Sequence, residues 1–142
     1  MNPATAPPIT RILETALYVD DMDRAVAFYR DVMGLAVLDA GPRLVAMDGG
    51  QATLLLLFKR GATRDGVRTP SGDIPPHDSV GPAHVAFAVA ASDLAAWDRH
   101  LEAHRIAIES RITWARGGTS LYFRDPDGHS IELASPGLWA TY

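Results

Sequence analysis

The sequence predicts an α+β protein made of two tandem βαβββ modules. Two observations carry this. The strand-like motif ETALYV, Glu14–Val19, recurs as HVAFAV, His84–Val89, the two beginning 70 residues apart, and the same order of elements follows each copy. With 142 residues, 47% of them hydrophobic, the chain has material for one compact domain with a sizeable core.

Behind the first motif, Asp20 or Asp21 is placed to cap a helix whose apolar residues Ala25, Phe28, Tyr29, Val32 and Met33 follow helical spacing, with Gly34 as its stop. Behind the second, Ser92 or Asp93 caps a helix with Leu94, Trp97 and Leu101 on one side. Three strand-like runs follow each helix. They are expected near 36–40, 43–48 and 51–58 in the first half, and near 106–113, 119–124 and 129–134 in the second. The expected organisation is an N-terminal arm at 1–11, a first module at 12–58, a connection at 59–82, a second module at 83–135 and a tail at 136–142. The connection is rich in Gly and Pro and shows no periodicity. It reads as a linker between modules, with His77 and Asp78 as candidate lid residues.

Composition excludes several classes. A net charge of -4 without a Lys/Arg cluster argues against a nucleic-acid partner. No apolar run is long enough to span a membrane and the first residues do not read as a signal peptide, so a cytoplasmic protein is expected. The absence of cysteine removes thiolate metal sites and Cys nucleophiles.

Alternation sorts the strand residues into two faces. Leu17 and Val19, Val85, Phe87 and Val89, and Ile131 and Leu133 form an apolar set suited to packing on the helices. The other set is Glu14, Ala16 and Tyr18; His84, Ala86 and Ala88; and Ser130, Glu132 and Ala134. That face is small or polar, with three groups able to bind metal at corresponding levels. Glu132, between Ile131 and Leu133, is a carboxylate inside an otherwise apolar strand and needs a partner. When TLLLL from Thr53 is aligned with SIELA from Ser130, Leu55 takes the position equivalent to Glu132.

The duplication, together with YVDDMDRAVAFYRDVMGL and YFRDPDGHSIEL, resembles the vicinal oxygen chelate superfamily, which includes glyoxalase I, fosfomycin-resistance thiol transferases, extradiol dioxygenases and bleomycin-binding proteins. The resemblance implies curled mixed sheets around a concave site. It also implies a divalent metal between paired modules, held from the first and last strands, at Glu14, Leu55, His84 and Glu132. Leu55 cannot coordinate, so the implied metal set is Glu14, His84 and Glu132, closer to the three-ligand fosfomycin-resistance pattern than to glyoxalase I. Tyr122 matches a tyrosine lining that group's site, with Arg116 and Arg124 as partial stand-ins for its phosphonate clamp.

Two carboxylates and an imidazole suit Mn²⁺, Fe²⁺, Ni²⁺, Co²⁺ or Zn²⁺, and three protein ligands leave positions open for a substrate with vicinal oxygens. Glu132 or Tyr122 is the candidate base. Tyr18, Trp114, Arg116, Tyr122 and Arg124 are candidate substrate contacts, the aromatics being equally suited to packing. His100 and His104, one helical turn apart, read as solvated. Two functions follow: a metal-dependent enzyme stabilising an oxyanion or enediolate, or a metal-free protein that sequesters a drug or metabolite as bleomycin-resistance proteins do. The resemblance to small, dimeric members of that superfamily implies a homodimer with two equivalent shared sites, Glu14 of one chain meeting His84 and Glu132 of the other.

Overall fold

A computed structural model describes residues 5–142. Of the expected N-terminal arm, residues 1–4 lie outside the described residues, and 5–11 carry no helix or strand. The first module runs β1 (Glu14–Val19), α1 (Met22–Ala27), β2 (Val37–Ala40), β3 (Leu44–Gly50) and β4 (Thr53–Lys59). The second runs β7 (His84–Ala88), α2 (Leu94–Ala103), β8 (Ser110–Thr113), β9 (Thr119–Arg124) and β10 (Ser130–Ala134). Each forms a four-stranded mixed sheet, in the orders β1-β4-β3-β2 and β7-β10-β9-β8, with the first and last strands parallel and the other pairs antiparallel.

Local chemistry sets the helix ends. Asp21 caps α1, its carboxylate accepting from the Arg24 N–H at 3.0 Å. From Phe28 to Val32 the helix widens into a π-turn, closed by Met33 N–H on the Phe28 carbonyl and by Leu35 N–H on that of Tyr29. Gly34 follows at φ 74°, a left-handed stop. Asp93 precedes α2 but makes no side-chain cap; a single 3₁₀ turn, Ala91–Asp93, leads in instead. The connection is less plain than expected, because Val67–Thr69 (β5) and Gly72–Ile74 (β6) pair as a small hairpin.

Both modules pack their helix-bearing faces into one core. Leu17, Val19, Phe28, Tyr29, Leu55 and Leu57 of the first join Leu101, Leu121, Phe123, Ile131 and Leu133 of the second. Burial of each such side chain contributes about 1.5–3 kcal/mol. Polar contacts lock the halves together. Tyr29 O–H donates to Asp125 Oδ2 at 2.6 Å, and Asp20 N–H donates to Asp127 Oδ1 at 2.8 Å. The buried His129 accepts from Ala83 N–H through Nδ1 and donates from Nε2 to the Tyr18 carbonyl, both at 2.8 Å.

The register corrects one expectation. In the parallel pairs, Glu14 lies opposite Leu54 and Ala16 opposite Leu56, just as His84 lies opposite Ser130 and Ala86 opposite Glu132. The residue equivalent to Glu132 is therefore Leu56. Leu55 points the other way, 2% exposed, into the core. Leu56 belongs instead to a separate apolar cluster with Ala46 and Phe58, flanked by Tyr18, Leu44 and Leu54, on the face away from the helices.

Candidate metal centre

The face of the second sheet turned away from the helices carries the constellation. His84 opens β7, and its Nδ1–H donates to the Ser130 carbonyl on the neighbouring strand at 3.0 Å. A carbonyl can only accept, so this bond fixes the tautomer of the neutral ring and leaves the lone pair on Nε2. That nitrogen stands 3.2 Å from Glu132 Oε2. Two donors each about 2.0–2.2 Å from a shared divalent ion stand roughly 3 Å apart, so the pair fits such an ion. His84 is exposed, whereas Glu132 is only 4% exposed. A carboxylate so desolvated requires hydrogen bonds or a cation.

Part of that requirement is met from behind. Ser120 O–H, fully buried on β9, donates to Glu132 Oε1, and Trp114 Nε1–H donates to Ser120 Oγ at 2.7 Å. This chain orients the carboxylate so that Oε2 faces His84. Tyr122 pairs with Glu132 across the antiparallel ladder, and its ring lies over His84 with centroids 6.2 Å apart and planes 26° from parallel. Burial first, then Glu132 as acceptor and as charge, raises the Tyr122 phenol above its ordinary value. At neutral pH it is a hydrogen-bond donor rather than a ready base.

The other expected site residues are placed differently. Glu14, exposed on β1, shares a cleft of about 420 Å³ with Leu54, Val85, Ala86, Phe87 and Ala88, and His84 is not among its lining residues. Among the described residues no three His, Cys, Asp or Glu side chains converge within one chain. Tyr18 stacks on Phe58, and its hydroxyl bonds His77 Nδ1, so His77 of the connection closes over the first module's face. Asp78 is paired with Arg64 at 2.9 Å. Arg124 is held by Glu109 at 2.7 Å and by the Gly128 carbonyl, so it is not a free anion clamp, and Arg116 is exposed in the turn between β8 and β9. His100 is not simply solvated, since its Nε2–H donates to the Val32 carbonyl at 2.8 Å. Ser120 was missed in the sequence reading; its one signal was a small polar residue beside the core positions Leu121 and Phe123.

Comparison with known proteins supplies the family. The chain is similar to metallothiol transferase FosB of Shouchella clausii, 32% identical over 117 residues, which cover 81% of this chain and 73% of that protein. FosB of Staphylococcus epidermidis strain ATCC 12228 is 25% identical over 126 residues, covering 88% and 81%. Among solved structures, lactoylglutathione lyase from Agrobacterium tumefaciens superposes with a TM-score of 0.85 at 37% identity, covering 94% of this chain and 99% of that one. The fosfomycin resistance protein FosX of Mesorhizobium loti, at 18% identity and a TM-score of 0.64, with coverage of 92% and 96%, shares the fold. The family model described as Glyoxalase/Bleomycin resistance protein/Dioxygenase superfamily matches residues 11–133, and the chain belongs to that superfamily.

Proposed function

We propose that the protein is a metal-dependent enzyme acting on a small substrate that presents two vicinal oxygens, and that it works as a homodimer. The observation that supports this most directly is the tautomer-fixed His84 Nε2 at 3.2 Å from the oriented, buried carboxylate of Glu132. A protein that only sequesters a ligand has no use for such a pair. The similar FosB proteins and the lactoylglutathione lyase carry the names of enzymes, which favours the same reading.

The third ligand in this reading is Glu14 of the partner. Within its own chain it shares a cleft with Ala86 and Ala88, and among the described residues it joins no group of three metal-binding side chains. Exposed apolar residues flank the two edges of the first sheet: Ile12 and Leu13 before β1, and Val37 and Leu38 on β2. Such clustering suits a protein contact. Two carboxylates and one imidazole suit Mn²⁺, Fe²⁺, Ni²⁺, Co²⁺ or Zn²⁺. Bound there, the ion supplies Lewis acidity that polarises substrate oxygens and stabilises a developing oxyanion. The residues of the chain do the rest. Ser120 and Trp114 hold Glu132 in place, and the Tyr122 phenol donates a hydrogen bond or proton at the substrate.

The test is metal analysis of protein purified without added metal, followed by calorimetric titration. His84→Ala and Glu132→Ala are expected to abolish tight binding while circular dichroism stays unchanged. Refolding Glu14→Ala chains with Glu132→Ala chains then restores one site per mixed dimer. Unchanged affinity in both single variants overturns the ligand assignment. A mixed dimer confirmed by mass, yet without a restored site, overturns the sharing.

A further inference from the structure

We infer that residues 136–142 form a strap that positions the Glu132 carboxylate through the turn carrying Trp114, with Gly118, Gly137 and Tyr142 as its positioning residues. The inference rests on the metal reading above, which makes Glu132 a ligand. A crossing of two backbones and an anchored phenol carry it.

The start of β9 is held to the chain beyond β10 at two levels. At the first, Ser135, 2% exposed, grips Thr119: its N–H donates to the Thr119 carbonyl at 3.0 Å and its hydroxyl oxygen accepts from the Thr119 N–H at 2.9 Å. At the second, the Gly118 N–H donates to the Gly137 carbonyl at 3.2 Å. There the two segments touch backbone to backbone. A Cβ on Gly118 would stand 2.7 Å from the Gly137 carbonyl carbon and 2.9 Å from the Ser135 carbonyl oxygen, and one on Gly137 would stand 2.5 Å from the Gly118 nitrogen and 2.8 Å from the Arg116 carbonyl oxygen. None of these atoms is the movable end of a side chain. Gly137 also sits at φ 105°, which only glycine adopts freely, so Gly118 is the cleaner probe of the crossing.

Beyond Thr113 and Thr119, the last pair of the β8–β9 ladder, the turn moves as one piece, because the Trp114 N–H donates to the Gly118 carbonyl at 2.7 Å and the Gly117 N–H to the Trp114 carbonyl at 2.9 Å. Ser120 belongs to β9, fixed by the Ser135 grip and the β10 ladder. Trp114 belongs to the turn, fixed by Gly137. The strap therefore sets where the indole stands relative to the Ser120 hydroxyl, and that hydroxyl orients Glu132. Carbon contacts relax near 3.5 Å, so a methyl group at Gly118 parts the crossing by about 0.8 Å, which carries the 2.7 Å Trp114–Ser120 bond past the usual range of about 2.7–3.2 Å. Tyr142 anchors the far end. Its hydroxyl donates to the Ala134 carbonyl at 2.8 Å and lies 3.3 Å from that of Val89, at the ends of β10 and β7. Its main-chain oxygen accepts from the N–H groups of Gly137, Leu138 and Trp139 at 2.8, 3.0 and 3.1 Å, which holds Gly137 in place.

The experiment reads Mn²⁺ affinity by calorimetry and the Trp114 indole proton by nitrogen-edited NMR, assigned with Trp114→Phe. Gly118→Ala is expected to weaken Mn²⁺ binding about fivefold, less than the loss of a group that touches the ligand. In the metal-free protein its indole proton moves upfield as the bond to Ser120 lengthens. Added to Trp114→Phe, Gly118→Ala is expected to cost no further affinity, since the strap acts through the indole. Tyr142→Phe removes only the hydroxyl and moves both readouts the same way by less; it decides alone if Gly118→Ala does not fold. Losses that add in full to that of Trp114→Phe make the segment a general stabiliser and overturn the inference. So does a folded Gly118→Ala protein with wild-type Mn²⁺ affinity and indole shift. If the wild type does not bind Mn²⁺, the metal reading fails alone: an indole proton that still shifts in the variants upholds the strap, and one that stays in place overturns it.

Discussion

Replacing Ser120 by alanine separates the orientation of Glu132 from its presence. The hydroxyl makes two bonds, donating to Glu132 Oε1 and accepting from Trp114 Nε1 at 2.7 Å. Ser120 is fully buried and Glu132 is 4% exposed, so water cannot reach Oε1 to replace the lost donor. A hydrogen bond to a charged group is worth about 1.5–3 kcal/mol. The Trp114 side is cheaper, because that residue is half-buried and its N–H has access to solvent. The folded state is thus expected to lose about 2 kcal/mol, read as a lower urea midpoint with unchanged slope. The freed carboxylate no longer aims Oε2 at His84, and metal affinity falls roughly ten- to hundredfold, the usual consequence of removing a group that orients a ligand. Trp114→Phe keeps the Ser120–Glu132 bond and is expected to cost less in both measurements. Calorimetric titration with Mn²⁺ decides the matter. Wild-type affinity in a folded Ser120→Ala protein would refute the claim that this chain of bonds prepares the site.

Two further outcomes follow from named contacts. The Tyr29 phenol is held far above its ordinary range, by burial first and then by Asp125 as charge and as acceptor. The folded state therefore keeps a proton that the unfolded chain releases above about pH 10, so this stabilisation is complete below that pH and lost as pH rises, by up to about 1.4 kcal/mol per unit. Tyr29→Phe flattens the fall in urea midpoint between pH 9 and 11, at a neutral-pH cost of about 1–3 kcal/mol for leaving Asp125 Oδ2 unpaired; an unaltered alkaline slope would exclude Tyr29 as its source. Leu55→Glu buries an unpaired charge in the core and is expected to cost at least about 3 kcal/mol or abolish folding. Leu56→Glu puts a carboxylate at the register equivalent of Glu132, 8% exposed among apolar neighbours, and is expected to cost about 1–3 kcal/mol without metal while tightening metal binding; calorimetry showing weaker metal binding in the folded variant would refute the register-based equivalence.

What was legible in the sequence was whatever alternates. Leu17 and Val19 against Glu14 and Tyr18, or Ile131 and Leu133 against Glu132, declare their faces because a strand of period two buries only one of them. The run Leu54–Leu57 has no alternation, since one face packs in the core and the other in the second cluster, so its register could slip by one residue unnoticed. The helix at Ala25–Met33 was readable, but its π-turn depends on where the chain must turn after Val32, which composition does not encode. The β5–β6 hairpin left only the short turn signal TPSG. Ser120 and Glu132 are twelve positions apart and carry no pairing signal until β9 and β10 lie side by side.

The same duplication that makes the fold readable hides how the candidate site is assembled. Two copies of one module begin with equivalent faces, and in this chain the faces have diverged. The second holds His84 and Glu132 with Ser120 and Trp114 behind them; the first has leucine at the equivalent of Glu132 and keeps one carboxylate, Glu14. In the proposed reading each face alone is an incomplete shell, one with two ligands and the other with one. Within the chain the two modules spend their helix-bearing faces on each other, in a core that runs from Tyr29 to Phe123 and is closed by the Tyr29–Asp125 and His129–Tyr18 bonds. That packing leaves Glu14 in a cleft with Ala86 and Ala88, in no group of three metal-binding side chains among the described residues. Breaking it to bring the faces together would expose the core, at a cost far beyond the total stability of a domain this size. The arrangement that leaves the core intact and completes both shells is the proposed pairing of the first face of one chain with the second face of another.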